Sequence, residues 1–243
     1  MVQTPMGSSV VVWLIAALLA LIPAAAPAQA GTFTVGQNGK PVGTASFNIA
    51  RGLEGYDSTS SVRVSMQGLE YALSKNENLS RSNVLLHVQL SAIVNSSAVH
   101  VTAKPDAAQI LINISANGQS NTTRLDGHNS AVFLPDFDPG ALQTLLTLAA
   151  TNNNRDLWAI LPKQAGSIVA VQLATYPDEQ GTLDGRPITA HHLIATIAGA
   201  QTDLFSGPDN QLLQAELPQQ GFALIRKGFI LTPPAKPQAP PAQ

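Results

Sequence analysis

Apolar and polar residues alternate along most of this chain between about residues 31 and 232, which predicts a protein built mainly of β-strands. The clearest example is the segment 83–94. Successive side chains of a strand point to opposite faces, so this segment places six apolar side chains on one face. They are Val84, Leu86, Val88, Leu90, Ala92 and Val94.

The same pattern predicts many shorter strands, separated by turn signals. They are expected at 32–35, 42–49, 61–66, 70–74, 98–103, 109–116, 122–125, 131–134, 167–175, 188–198, 201–205, 211–216 and 222–231. Asn38-Gly39 predicts a hairpin because both central residues of such a turn take positive φ. Other turns are expected at Gln67-Gly68, Asn117-Gly118, Asp126-Gly127, Asp184-Gly185 and Pro208-Asp209-Asn210. Regular strands with these turns predict a large curved antiparallel sheet or half-barrel.

One segment has the period of a helix rather than that of a strand. Asp138 is a typical N-cap residue and Pro139 suits the first helical position. The apolar residues that follow form a single stripe at helical spacing: Leu142, Leu145, Leu146 and Ala149. We therefore expect a helix over about 139–150 that packs on the concave face of the sheet.

The amino-terminal thirty residues have the pattern of a secretory signal peptide. Residues 10–22 are an unbroken apolar run, too short for a bilayer core, which needs about 20 residues. A small-x-small cleavage site, Ala28-Gln29-Ala30, follows, so Ala30 and Gly31 are expected to flank the cut and Gly31 to begin the mature protein. The first nine residues contain no Lys or Arg, which leaves an uncleaved anchor as the alternative. In either case the chain is expected in the periplasm or outside the cell.

Composition narrows the class of protein. Without residues 1–30 the chain suits one domain, expected over 31–232, followed by a Pro-rich, disordered tail at 233–243. Only 12% of residues are charged, the net charge is −2, and no basic stripe suggests binding to nucleic acid or to anionic lipid. The absence of cysteine excludes disulfides, thiol catalysis and lipidation at a lipobox cysteine.

No catalytic, cofactor or metal site is predicted from motifs. The adjacent His191 and His192 would point to opposite faces of one strand, so the two cannot chelate one ion together. Asp136 and Asp138 resemble the start of a calcium loop, but the later ligands are missing, and Asp138 is better explained as a helix cap. His87 and His100 are expected at the surface. No nucleophile elbow or phosphate-binding loop occurs.

The order of elements in the second half resembles that of exported bacterial half-barrel proteins of the DUF3108-like and LolA-like kind. The similarity spans about residues 150–231. It rests on the segment 157–162, a strand pair at 167–175 and 188–198, the Thr202-Asp203-Leu204-Phe205 step, the turn at 207–210 and the returning segment 212–218. In such proteins a curved sheet wraps around a helix. The resemblance therefore implies a concave apolar surface suited to a lipid or another hydrophobic ligand, and it implies no catalytic residues.

Three functional hypotheses follow from the sequence. We favour a non-enzymatic, periplasmic binding or carrier protein for a hydrophobic or lipid-like small molecule. A structural or interaction protein of the cell envelope, contacting partners through the Pro-rich tail, is the first alternative. The second is a hydrolase that joins His191 or His192 to Asp178, Asp184 or Asp203 in a deep polar cleft. An apolar groove between the helix and the sheet would favour the carrier.

Overall fold

The computed structural model of the protein describes residues 29–163 and 166–232. Residues 1–28 of the predicted signal peptide and the Pro-rich tail at 233–243 lie outside these residues. Eight strands come first: β1 (Gln29–Gln37), β2 (Lys40–Arg51), β3 (Gly55–Met66), β4 (Leu69–Ser80), β5 (Leu85–Val94), β6 (Ser97–Asp106), β7 (Gln109–Ala116) and β8 (Gln119–Asp126). They are followed by β9 (Ala131–Phe133), helix α1 (Pro139–Thr151), β10 (Leu157–Leu161), β11 (Ser167–Leu183), β12 (Arg186–Ile197), β13 (Ala200–Ser206), β14 (Leu212–Leu217), β15 (Phe222–Arg226) and β16 (Phe229–Leu231).

All sixteen strands of the described residues belong to one open sheet. Its spatial order is β8-β7-β6-β5-β4-β3-β2-β1-β15-β14-β13-β12-β11-β10-β9, and β16 pairs with β11 beside this path. The chain thus runs outward from β1 to β8 and passes to β9 at the opposite end of the strand order. Helix α1 then connects β9 to the neighbouring β10, and the following strands return until β15 pairs with β1. Neighbouring strands are antiparallel except for β9 and β10. The predicted curved antiparallel sheet with one helix is confirmed.

Helix α1 lies against one face of this sheet, which we call the inner face. It packs mainly on β2 and β3 of the first half and on β9, β10 and β14 of the second. Its predicted apolar stripe is buried, and together with inward-facing residues of both halves it forms the main hydrophobic core. The helix therefore joins two arms of the sheet that are distant along the strand order.

Hydrogen bonds fix both the start and the position of α1. The Asp138 Oδ1 atom accepts from the backbone N–H groups of Gly140 at 2.9 Å and Ala141 at 3.2 Å, which confirms Asp138 as the N-cap. The fully buried Gln143 donates to the Asn210 carbonyl at 2.9 Å and accepts from the Leu212 N–H at 2.8 Å. This side chain satisfies backbone groups at the start of β14 and so holds the helix against it.

The strand β1 crosses the predicted cleavage point. It begins at Gln29, and the carbonyl of Ala30 accepts a hydrogen bond from Arg226 at 2.7 Å. A Cβ atom on Gly31 would lie within 2.8 Å of the Phe33, Phe47 and Arg226 side chains. Close packing therefore gives Gly31 a role in the sheet, beside its predicted position at the start of the mature chain, which stays a prediction.

Three details of the strand predictions are corrected by the structure. The segment predicted as one strand at 222–231 forms two, because Gly228 takes φ +83° and directs β16 away to β11. At the start of β5 it is Leu85, not Leu86, that is buried, because a bulge opposite Leu79 shifts the register. Residues 157–161 form β10, which lacked a strand prediction and pairs with the short β9.

The second half of the sheet also buries a small cluster on its outer face. Ala190, Phe205, Leu213 and Phe229 pack there, opposite the face that carries the helix. Strand β16 supplies Phe229 and pairs with the far end of the long β11. This second cluster explains why β12, β13 and β14 are apolar on both faces.

Candidate functional site

An apolar cleft opens on the inner face beside the helix-covered core. We call it the inner cleft; its volume is about 320 Å³. Strands β4 to β7 form its floor, and the segments that follow β9 and β10 form one side. The lining residues are Tyr71, Leu73, Leu90, Ala92, Val94, Val99, Val101, Ile114, Ala116, Pro135, Asp136, Pro162 and Lys163. Seven of them come from the predicted apolar face of residues 83–94 and from matching positions on β6 and β7, so strand alternation builds this surface.

Three polar groups stand at the rim of the inner cleft. The Lys163 Nζ atom lies 2.9 Å from the Asp136 Oδ1 atom, in a pair about half exposed to solvent. The Tyr71 hydroxyl donates to the Asp136 carbonyl at 3.2 Å, and the Tyr71 ring meets Phe137 edge-on. Burial, reinforced by the charges of Asp136 and Asp138, raises the pKa of the Tyr71 phenol, so it remains a neutral donor.

A second cleft, of about 440 Å³, lies at the other end of the inner face, beside α1. Its lining is mixed in character: Gln29, Ile49, Arg51, Tyr56, Asn83, Thr144, Thr147 and Asp209. Thr144 and Thr147 direct their hydroxyls to helix carbonyls, at 3.0 Å each. A groove between helix and sheet is therefore present, but its lining is mixed, not the apolar lining that would favour the carrier hypothesis.

A fully buried ion cluster joins β4 to the N-terminus of α1. Lys75 Nζ lies 2.9 Å from Glu77 Oε2 and 2.7 Å from Asp138 Oδ2, and none of the three side chains is exposed. On the same strand, Tyr71 and Leu73 line the inner cleft, and Leu79 pairs with Tyr56, which lines the second cleft. The N-cap carboxylate of α1, Asp138, is thus also an ion-pair partner of β4.

The cluster holds two carboxyl groups for a single ammonium group. Burial raises the pKa of Glu77, and Lys75 only partly opposes this effect. Burial alone would lower the pKa of Lys75, but the adjacent Asp138 and Glu77 raise it overall, so Lys75 stays charged. Within the described residues, Glu77 Oε1, Ser58 Oγ and Ser60 Oγ have no hydrogen-bond partner. The raised pKa of Glu77 and its unpartnered Oε1 atom together favour a proton on Glu77.

The adjacent histidines point to opposite faces, as predicted, and each contacts its own acidic partners. His191 Nδ1 lies 2.9 Å from Asp178 Oδ1 in an exposed pair. His192 is mostly buried on the outer face, stacks on Phe205, and its Nε2 atom lies 3.0 Å from Asp203 Oδ1. None of the residues that line the two clefts described above belongs to these pairs.

The structure also shows the positions of the other candidate residues named from the sequence. Asp136 lies at the rim of the inner cleft, and Asp138 is the buried N-cap of α1. The structure therefore does not place them as a carboxylate pair across a cleft. His100 is exposed, as predicted, and bonds Ser91 at 3.1 Å, while His87 is only partly exposed. In the described part of the chain, no group of three or more His, Asp or Glu side chains could hold a metal ion.

Sequence reasoning missed Lys75, Glu77 and Lys163. The signal for the first two was present: they share strand parity with the buried Leu73 and Leu79, so alternation alone directs their side chains inward. Lys163 had no such signal, because its place at the rim depends on how β10 and the loop after it lie against β4 to β7.

No known family model, curated protein or solved structure matches this chain. Among residues 29–163 and 166–232, no helix combines the length and apolar character needed to cross a membrane.

Proposed function

We propose that this protein is an exported, non-enzymatic carrier or binding protein that holds a hydrophobic, lipid-like ligand in the inner cleft. The observation that carries the proposal is the cleft's lining, in which ten of thirteen residues are apolar aliphatic or proline residues. Its volume lies at the lower end of the range of small-molecule sites, about 300–1,000 Å³.

The main competing interpretation is that the helix and the sheet simply fill each other's core. The helix does bury its apolar stripe, but its main contacts are with β2, β3, β9, β10 and β14. The cleft is built from β4 to β7, beyond the surface that the helix occupies. Apolar surface left concave and open in this way is typical of ligand or partner sites.

Export is supported by the apolar run at 10–22 and the small-x-small site that ends at Ala30. The resemblance to DUF3108-like and LolA-like half-barrels agrees with a carrier role. The two alternatives have less support: the Pro-rich tail lies outside the described residues, and the histidine–aspartate pairs line neither cleft.

The test uses a variant that fills the cleft and a control on the opposite face of the same strand. Ala116→Trp places an indole at the cleft wall, whereas Ser115→Trp points away from it. We expect native mass spectrometry, with organic extraction, to find a co-purifying apolar molecule on the native protein and on Ser115→Trp. Ala116→Trp should lose it.

The neutral probe cis-parinaric acid methyl ester provides a second readout by its fluorescence. It should bind the native protein and the Ser115→Trp control, and Ala116→Trp should bind it at least tenfold more weakly. A native protein that carries no apolar molecule and does not bind the ester would overturn the proposal. Equal binding by Ala116→Trp and Ser115→Trp would also overturn it, because the ligand would then lie elsewhere.

A further inference from the structure

The inner cleft carries its charge at one point only. Among its thirteen lining residues the two charged ones, Asp136 and Lys163, stand together at the rim. Every other part of the wall is apolar apart from the Tyr71 hydroxyl, which already donates to the Asp136 carbonyl. An amphiphilic ligand would therefore place its chain inside and its polar head beside this pair.

The two rim residues differ in what they offer to such a head group. An ammonium group has three donors, and the Asp136 Oδ1 atom engages one of those of Lys163. The Lys163 side chain is 64% exposed, so the remaining donors are open to a second acceptor. Asp136 offers no donor when ionised, and its own charge is already paired.

The protein uses the same arrangement in its interior. Lys75 lies between two carboxyl groups, 2.9 Å from Glu77 and 2.7 Å from Asp138. A ligand carboxylate beside Lys163 would complete an equivalent carboxylate–ammonium–carboxylate contact with Asp136.

From these observations we infer that the inner cleft takes a single acyl chain with an anionic head, and that Lys163 binds the head. This inference rests on the proposed function, which requires only an apolar ligand. It adds the class of the ligand, a fatty-acid-like anion rather than a neutral or cationic lipid, and it adds a specificity-determining residue.

The experiment compares cis-parinaric acid with its uncharged methyl ester by fluorescence titration of the whole protein. The native protein should bind the acid more tightly than the ester. Lys163→Gln should weaken binding of the acid about fivefold, as expected for one partly exposed charge contact, and leave the ester within about twofold. Asp136→Asn should tighten binding of the acid, because it removes the competing carboxylate. Lys104→Gln, an exposed lysine of β6 that is absent from the cleft lining, is the matched control.

The outcomes separate this inference from the proposed function. If the native protein binds both probes equally and Lys163→Gln changes neither affinity, the anionic specificity is wrong while the apolar site stands. If neither probe binds the native protein, both proposals fail. A loss of acid binding in Lys104→Gln as large as that in Lys163→Gln would also overturn the inference, because it would show a general effect of net charge.

Discussion

Replacing Lys75 with Met tests the energetic role of the buried ion cluster. Methionine keeps much of the length and apolar character of the lysine stem but removes its charge. Glu77 and Asp138 would then remain buried without a counter-ion, although each lay within 2.9 Å of the ammonium group. Removing one partner of a buried ion pair costs about 3–5 kcal/mol, a large part of the stability of a typical domain.

A second substitution sharpens the test, because the charge of Asp138 raises the pKa of Glu77 and so links the two carboxyl groups energetically. In Lys75→Met, ionisation of Glu77 is opposed by burial and by Asp138 and is no longer favoured by an ammonium group, so adding Glu77→Gln, which removes the ionisable group, should restore part of the lost stability. Glu77→Gln alone should cost little, because burial already raises the pKa of Glu77. The double variant is therefore expected to be more stable than Lys75→Met, a clear departure from additivity.

The assay is equilibrium unfolding in urea, followed by tryptophan fluorescence and by circular dichroism. Lys104→Met, on the exposed face of β6, is the control and should change the free energy of unfolding by less than about 0.5 kcal/mol. If the free energy of unfolding of Lys75→Met lies within about 1 kcal/mol of that of the native protein, pairing of Lys75 with Glu77 and Asp138 does not stabilise the fold to the extent predicted. Strict additivity of the two changes would refute the coupling.

Two further predictions concern the same region. The raised pKa of Glu77 means that its contribution to stability is fully present below the ordinary value of 4.5 and is lost as pH rises through the folded-state pKa. Glu77→Gln should remove this loss and flatten the profile of urea midpoint against pH above 4.5; identical profiles for the two proteins would contradict the assignment. Gln143→Leu should destabilise the protein by about 2–3 kcal/mol in urea, because the N–H of Leu212 and the carbonyl of Asn210 lose their partner, and an unchanged midpoint would show that water replaces the amide.

Much of the fold could be predicted from local patterns. Alternation located most strands, and the Asn38-Gly39 pair takes positive φ at both residues, as its hairpin requires. Asp138 and Pro139 marked the start of the helix correctly, because capping depends on the neighbouring residues alone. The break at Lys227-Gly228 was missed, since a lone glycine in an apolar run does not reveal that the next three residues pair with a distant strand.

The candidate site was less predictable, because it depends on elements far apart in sequence. Residues 83–94 gave the apolar floor of the inner cleft, but Asp136 and Lys163 reach its rim only through the return of the chain along β9 and β10. Likewise, strand parity directs Lys75 inward, but nothing local indicates that Asp138 will lie 2.7 Å from it. Such pairings arise when a helix docks on a sheet, and docking is governed by the whole core.

Most of the strands and turns, and the helix with its cap, follow from the backbone and side-chain preferences of a few adjacent residues, so local sequence patterns predict them. Tertiary packing fixes which apolar surface is covered and which stays open. Helix α1 covers the inner face over β2 and β3, and the inner cleft remains open over β4 to β7. The physical reason is that burial depends on the shape and area of surfaces that meet only after folding, and period-two alternation marks both kinds of surface identically.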